Sequence, residues 1–210
     1  MSSRVAGLAA LLLLALACAA PPEPPPVPSP DLSGMEPRVR LAILEARKKV
    51  EQEPGSAAAW GGLGQVLDAH ELDPEAEAAY RQARDLAPED PRWPYLLGRL
   101  LGFKGTAPEE VAALFEESVR LDPAYAPAHL RLGDARLALG DAEVAAAAYR
   151  HALSLDPSLA KAQLGLGRAL LASERVAEAA AALEAARELD PADQAVYTEL
   201  SRALLRAGER

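Results

Sequence analysis

The chain has 210 residues and a net charge of −9, which is room for one or two domains. The acidic balance removes the basic footprint that a nucleic-acid binder carries. A single cysteine excludes an internal disulfide and a cysteine-built zinc site.

Half of the residues are hydrophobic but only 4% are aromatic, and Ala and Leu carry the apolar count. These are strong helix formers, while the β-formers Val, Ile and Thr are sparse, so an all-α fold is expected.

The first predicted element is a leader. Arg4 precedes sixteen uncharged residues, Val5 to Ala20, short of the ~20 apolar residues that a spanning helix needs. Charge, short apolar core and small residues together read as a signal peptide over residues 1–17. The core ends Leu14-Ala15-Leu16-Ala17-Cys18, and the only cysteine of the chain stands there. This resembles a bacterial lipobox, whose cysteine is diacylated and becomes the mature N-terminus. Two other readings compete. Ordinary cleavage after Ala19 or Ala20 would leave Pro21 and Pro22 crowding the new end, and an uncleaved anchor is opposed by the length. All three place the rest of the chain outside the cytoplasm. Ala19 rather than Asp follows the cysteine. By resemblance to double-membrane bacteria, this implies sorting to the outer membrane, facing the periplasm.

Pro21 to Pro30 holds seven prolines in ten residues. Proline fixes φ and donates no hydrogen bond, so an extended polyproline segment is expected. Residues 18–36 are assigned to a tether, whose Pro21–Pro30 stretch stands the next domain off by roughly 30 Å at ~3.1 Å per residue.

A capping helix is predicted over 37–53, and the chain then repeats itself. Gly64, Gly98, Gly133 and Gly167 are 34, 35 and 34 residues apart, each after a leucine. Pro88, Pro123, Pro157 and Pro191 are 35, 34 and 34 apart. Two residue types keeping one register define units at 57–90, 91–125, 126–159 and 160–193. The extra residue of the second unit is placed in the Gly102–Pro108 turn. Trp60, Leu63, Gly64 and Leu67 fall on one helical face, and Ala76, Tyr80, Ala83 and Pro88 follow. This pattern resembles the tetratricopeptide repeat family, W-x2-L-G-x2-Y…A-x3-F…P, with Leu67 in the slot of the usual tyrosine. The later units carry Leu97, Gly98 and Phe115; His129, Gly133 and Tyr149; and Leu166, Gly167 and Leu183. The resemblance implies an α-solenoid, a right-handed superhelix of antiparallel helix pairs with an inner groove lined by the first helices. Tyr197, Leu200, Ser201 and Leu204 continue the first-helix pattern as a C-terminal capping helix over 194–208. That makes ten helices.

The turns suggest caps. Asp73-Pro74-Glu75 is read as an N-cap, a first-turn proline and an acid, and Thr106 to Glu109 has capping-box spacing. Gly140-Asp141 is read as one helix end and the next cap.

Catalytic chemistry is not expected. Gly61-Gly62-x-Gly64 lies within a helix and follows no strand, so it is not a phosphate loop. His129 occupies the slot of Trp60 and is read as a packed core histidine. His70 and His151 are expected to stand apart from it. Glu109, Glu110, Glu116 and Glu117 are read as solvated faces. No metal, cofactor or small-molecule substrate is expected.

First-helix residues offset from the core stripe are expected to face the groove. They begin with Ala58, Gly61, Gln65 and Asp68 in the first unit. The candidate peptide-binding residues follow at Arg92, Tyr95, Arg99, Asp134, Lys161, Arg168 and Arg202, with Phe103 among the apolar groups between them. Cations with apolar groups between them suit a peptide with carboxylates, because Arg contacts can be bidentate. Arg99 and Arg168 are expected to be replaceable by Glu without unfolding. The family's lysine and asparagine clamp for chaperone tails is not carried over, since no asparagine stands at the corresponding positions.

The expected function is a non-catalytic scaffold in the bacterial cell envelope. It would hold envelope proteins or peptide segments in its groove and the membrane through its lipid. In layout it resembles pilotin lipoproteins of type IV pilus secretins. The alternative is a regulatory accessory lipoprotein of a cell-wall synthase or hydrolase. Cys18→Ser should abolish acylation, and labelled palmitate still entering that variant would refute the lipobox.

Overall fold

The computed structural model describes residues 25–208. The leader and Cys18 lie outside the described residues. Ten helices and no strand are present among the described residues. They are α1 (Pro37–Gln52), α2 (Ala57–Asp68), α3 (Asp73–Leu86), α4 (Arg92–Phe103), α5 (Pro108–Leu121), α6 (Ala126–Ala138), α7 (Ala142–Leu155), α8 (Ala160–Ala172), α9 (Val176–Leu189) and α10 (Gln194–Gly208).

Each helix packs on the next, through turns short enough to make neighbours antiparallel. The first helices of successive pairs also touch, α4 with α6, α6 with α8 and α8 with α10, so they form a row. Within each pair one glycine lets the helices close. A Cβ at Gly64 would stand 2.6 Å from the Tyr80 ring, one at Gly133 2.6 Å from Tyr149, and one at Gly167 2.5 Å from Leu183. Gly61 serves the junction between pairs. It is buried beneath Trp93 of α4, so it does not face the groove as its helical spacing suggests.

The first-helix ends share one device. Glu71, Gly105, Gly140 and Glu174 all have positive φ, and each stands seven residues after the packing glycine of its unit. The next N–H then bonds back five residues, as from Leu72 to the Leu67 carbonyl at 3.0 Å and from Thr106 to that of Leu101 at 3.1 Å. This is the Schellman closure. In three units the residue closing one helix is also the N-cap of the next: Leu72, Asp141 and Arg175. In the second unit Thr106 closes α4 and Ala107 opens α5, so the extra residue sits between the two jobs.

Two expected caps are thereby corrected. Asp73 is inside α3 rather than its N-cap, and Thr106 forms no capping box, because the closure fixes where the next helix starts. Asp141 is an N-cap by position, but it makes no side-chain cap bond. Among the helices with a described N-cap, a side chain caps only α2, where Ser56 Oγ accepts from the Ala59 N–H at 3.2 Å.

A second recurrent bond ties pair to pair. Trp60 Nε1 donates to the Pro54 carbonyl at 2.8 Å, and Tyr197 OH to that of Pro191 at 2.9 Å. His129 takes the same slot, buried, with Nε2 2.9 Å from the Pro123 carbonyl. His151 does not stand apart from it. The two rings are 4.1 Å apart at 40°, because consecutive helices α6 and α7 face each other there.

The N-terminal segment also differs from expectation. Val27, Leu32 and Met35 pack against the first core cluster, and Asp31 Oδ1 accepts from the Ser33 N–H at 2.9 Å. Residues 25–36 of the expected tether thus lie against the fold, and residues 18–24 lie outside the described residues. At the other end α10 covers the preceding pair, and Leu204 is 57% exposed, with no further helix on it among the described residues. Glu109, Glu110 and Glu116 are exposed as expected and Glu117 is half-buried, and three of the four also bridge units: Glu110 to Arg81 at 3.0 Å, Glu117 to Arg84 at 2.6 Å, and Glu116 to Arg136. No helix among the described residues is long and apolar enough to cross a membrane.

Left-handed backbone costs a non-glycine residue roughly 1–2 kcal/mol. Glu71→Gly should therefore stabilise by about 0.5–1 kcal/mol after its gain in unfolded-chain entropy, and Gly140→Ala should destabilise by about 1 kcal/mol. Urea midpoints check both. Burial, the main cause, with His151 adding to it, holds the His129 imidazole below its ordinary 6.5 despite Asp122 and the Pro123 carbonyl. The unfolded chain thus binds a proton below pH 6.5 that the folded chain refuses. This contribution to stability is complete above that value and is lost as pH falls toward the folded value. His129→Gln should flatten that part of the stability–pH profile.

Candidate functional site

Three cavities run along the row of first helices, with volumes of about 420, 620 and 190 Å³. The first and second share Asp134 and Ala138, and the second and third share Arg168. They therefore form one continuous trough from α4 to α10. Arg99, Asp134, Lys161, Arg168 and Arg202 line it.

Arg92 and Tyr95 are elsewhere. Arg92 is held by Asp90 at 2.6 Å and lies 4.6 Å over the Trp93 ring. The Tyr95 ring packs edge-on against Tyr125 at 5.1 Å and against Phe115 at 6.0 Å. Both lie near the start of α4, where the neighbouring turns claim their side chains.

The arginines are less free than their spacing suggests. Asp68 Oδ2 accepts from both the Tyr80 hydroxyl, at 3.1 Å, and the Arg99 guanidinium. Burial chiefly, then the Asp68 charge, raises the Tyr80 hydroxyl far above its ordinary range, so it stays a donor. Tyr149 repeats this with Asp134, at 2.8 Å, and Asp134 also meets Arg131 at 3.2 Å. Arg99→Glu would set two carboxylates against each other, so that substitution perturbs the fold as well as the groove.

Further along, Glu199 is a buried carboxylate between two arginines. Arg168 reaches it from α8 at 3.1 Å and Arg202 at 2.8 Å, while both guanidinium side chains stay about half exposed. Arg168→Glu would therefore also strand Glu199. Arg206 donates to the Leu171 carbonyl at 3.0 Å. Lys161 has no carboxylate partner among the described residues. Asp193 faces the same stretch, with its Oδ1 on the Ala195 N–H at 2.8 Å. Four cations thus meet three carboxylates at this end, Asp134, Asp193 and Glu199, each already engaged. Sequence reasoning missed Arg131, Arg206 and Glu199. Each stands off the stripe chosen for the groove, and only the packing of neighbouring helices turns it into the trough.

No group of three or more metal-ligating side chains occurs among the described residues. The trough offers surface, charge and directed donors.

Five overlapping stretches match the tetratricopeptide repeat family: residues 39–91, 74–126, 95–160, 130–194 and 164–209. No curated protein is similar enough in sequence to count as a relative. Among solved structures, the chain is similar to MamA 41-end from Desulfovibrio magneticus RS-1. The identity is 21% and the TM-score 0.68, over 72% of this chain and 85% of that one. It is also similar to YrrB, a tetratricopeptide protein with an unusual peptide-binding site, at 21% identity and TM-score 0.68 over 77% and 82%. A third is TTC0263, a thermophilic tetratricopeptide protein of Thermus thermophilus, at 22% identity and TM-score 0.58 over 80% and 91%. At these identities the likeness is one of fold.

Proposed function

The chain belongs to the tetratricopeptide repeat family, and we propose that it is a non-catalytic adaptor that holds a carboxylate-bearing peptide segment of a partner protein in its trough. The arginine pair on Glu199, with Lys161 and Arg206 beside it, carries this reading. A chain with a net charge of −9 has gathered cations along one surface of its first helices. Guanidinium groups already fixed by a carboxylate lose little rotamer freedom on binding a second one. The peptide-binding site of YrrB, on the same fold, supports a peptide as occupant.

Cys18 at the end of the apolar leader supports a second element of the proposal, a lipid anchor in the bacterial cell envelope. There the adaptor would assist assembly of a multiprotein machine, of which a pilus secretin is one candidate. Capture from solubilised membranes distinguishes this from service to a wall enzyme: secretin or pilus components against synthases or hydrolases.

Lys161→Glu combined with Arg202→Gln leaves Glu199 its bond to Arg168. This double variant should weaken partner capture about tenfold, the equivalent of ~1.4 kcal/mol, at an unchanged helical melting profile. Capture equal to that of the unaltered chain would refute the trough as the site.

A further inference from the structure

The first cavity of the trough has a different character from the rest. Its floor is apolar, formed by Val111 and Phe115 of α5 with Ala135 and Ala138 of α6. It lies at a seam. Buried residues of α1 to α5 form one core cluster with Ala135, and those of α6 to α10 form a second.

Three departures of the second unit open this space. Gly102 stands where the other units carry Asp68, Leu137 and Leu171. A Cβ there would meet only Val111 Cγ1, at an ordinary 3.6 Å, so no packing need explains the glycine. Phe115 replaces the tyrosine of its neighbours, so no hydroxyl enters the wall. The extra residue at Thr106–Ala107 lengthens the turn at the rim. Phe103 stands at the mouth 77% exposed, a large aromatic group left in water on an otherwise well-packed helix.

We propose that this cavity between α4, α5 and α6 is an anchor site for a large apolar side chain of the same partner segment whose carboxylates lie against Lys161, Arg168 and Arg202. The proposal rests on the peptide reading of the trough. Continuity commits the occupant to a polypeptide, because the anchor site opens through Asp134 and Ala138 into the cationic stretch. A free apolar small molecule would leave that stretch unused. Neighbouring helices pack about 8–10 Å apart, so two steps along the row separate the anchor from the arginines by roughly 20 Å. An extended peptide spans that in about six residues. The partner segment is thus acidic at one end and carries Phe, Leu, Met or another bulky apolar residue about six positions away.

Gly102→Leu tests it cleanly. Two sibling units already carry leucine at this position, and leucine is a better helix former than glycine. The variant should melt no lower than the unaltered chain while its cavity is filled. A random peptide library displayed on phage is selected on the full chain and on Gly102→Leu. Peptides enriched on the unaltered chain should combine a large apolar residue with acidic residues at that separation. They should bind Gly102→Leu at least tenfold more weakly, and replacing their apolar residue by Ala should cost the unaltered chain the same factor and Gly102→Leu nothing. Acidic peptides with no apolar preference, or equal binding to both chains, would overturn the anchor and leave the trough reading standing. Absence of any enriched peptide would overturn both.

Discussion

The two helices of a pair meet across a position that can carry no side chain, and much of the molecule follows from that contact. Helix-interior glycine costs ~1 kcal/mol against alanine, and it recurs at Gly64, Gly98, Gly133 and Gly167. What it admits is a large side chain from the second helix: Tyr80, Phe115, Tyr149 or Leu183. A buried aromatic removes about 150–250 Å² from water, which outweighs the propensity loss. The ring is then fixed, and where it is a tyrosine its hydroxyl is fixed as well. Tyr80 orients Asp68 and Asp68 orients Arg99; Tyr149 orients Asp134. A core packing choice thus reaches the trough through two hydrogen bonds. Tyr149 extends it sideways, since its ring also lies over Gly165 of the next pair.

Because each helix packs chiefly on its neighbours, the array has ends rather than a centre, and the ends are treated differently. At the start Val27, Leu32 and Met35 lay irregular chain on the first cluster. At the finish α10 keeps the first-helix pattern, Tyr197 included, and its outward side stays open. The tie from a first-helix donor to the carbonyl of the preceding turn holds α2, α6 and α10, while Pro94 and Gln163 take that slot in the other two first helices. It survives changes of residue type, as Trp60, His129 and Tyr197 each bring a hydrogen-bonding group to the same place.

The pattern of glycines, prolines and small residues made the all-α repeat architecture legible, because one-dimensional repetition of a contact leaves one-dimensional repetition of residues. Local closure was not legible. Glu71 and Glu174 adopt the left-handed conformation that Gly105 and Gly140 advertise, and nothing in a glutamate announces it. The order of residues 25–36 was hidden as well, because proline content argues for extension and is silent about what an extended segment lies against. In the site, helical spacing placed Arg99, Lys161, Arg168 and Arg202 on the inner side but could not supply their partners. Asp68 and Arg99 are 31 residues apart, as are Arg168 and Glu199. Such pairs arise where adjacent repeats meet, so a helical wheel of either helix alone does not contain them.

Those partners change what the trough can do. A lone surface arginine is a mobile charge in water, and pairing it on a surface contributes little. Arg168 and Arg202 are different, because both close on one carboxylate that is itself buried. One negative charge cannot neutralise two guanidinium groups, so the pair keeps a net positive charge and unused N–H donors in a defined place. The chain as a whole is acidic, yet at this end of the trough the cations outnumber the carboxylates beside them. In the proposed reading, this fixed pair rather than the net charge of the chain draws an acidic segment to the trough.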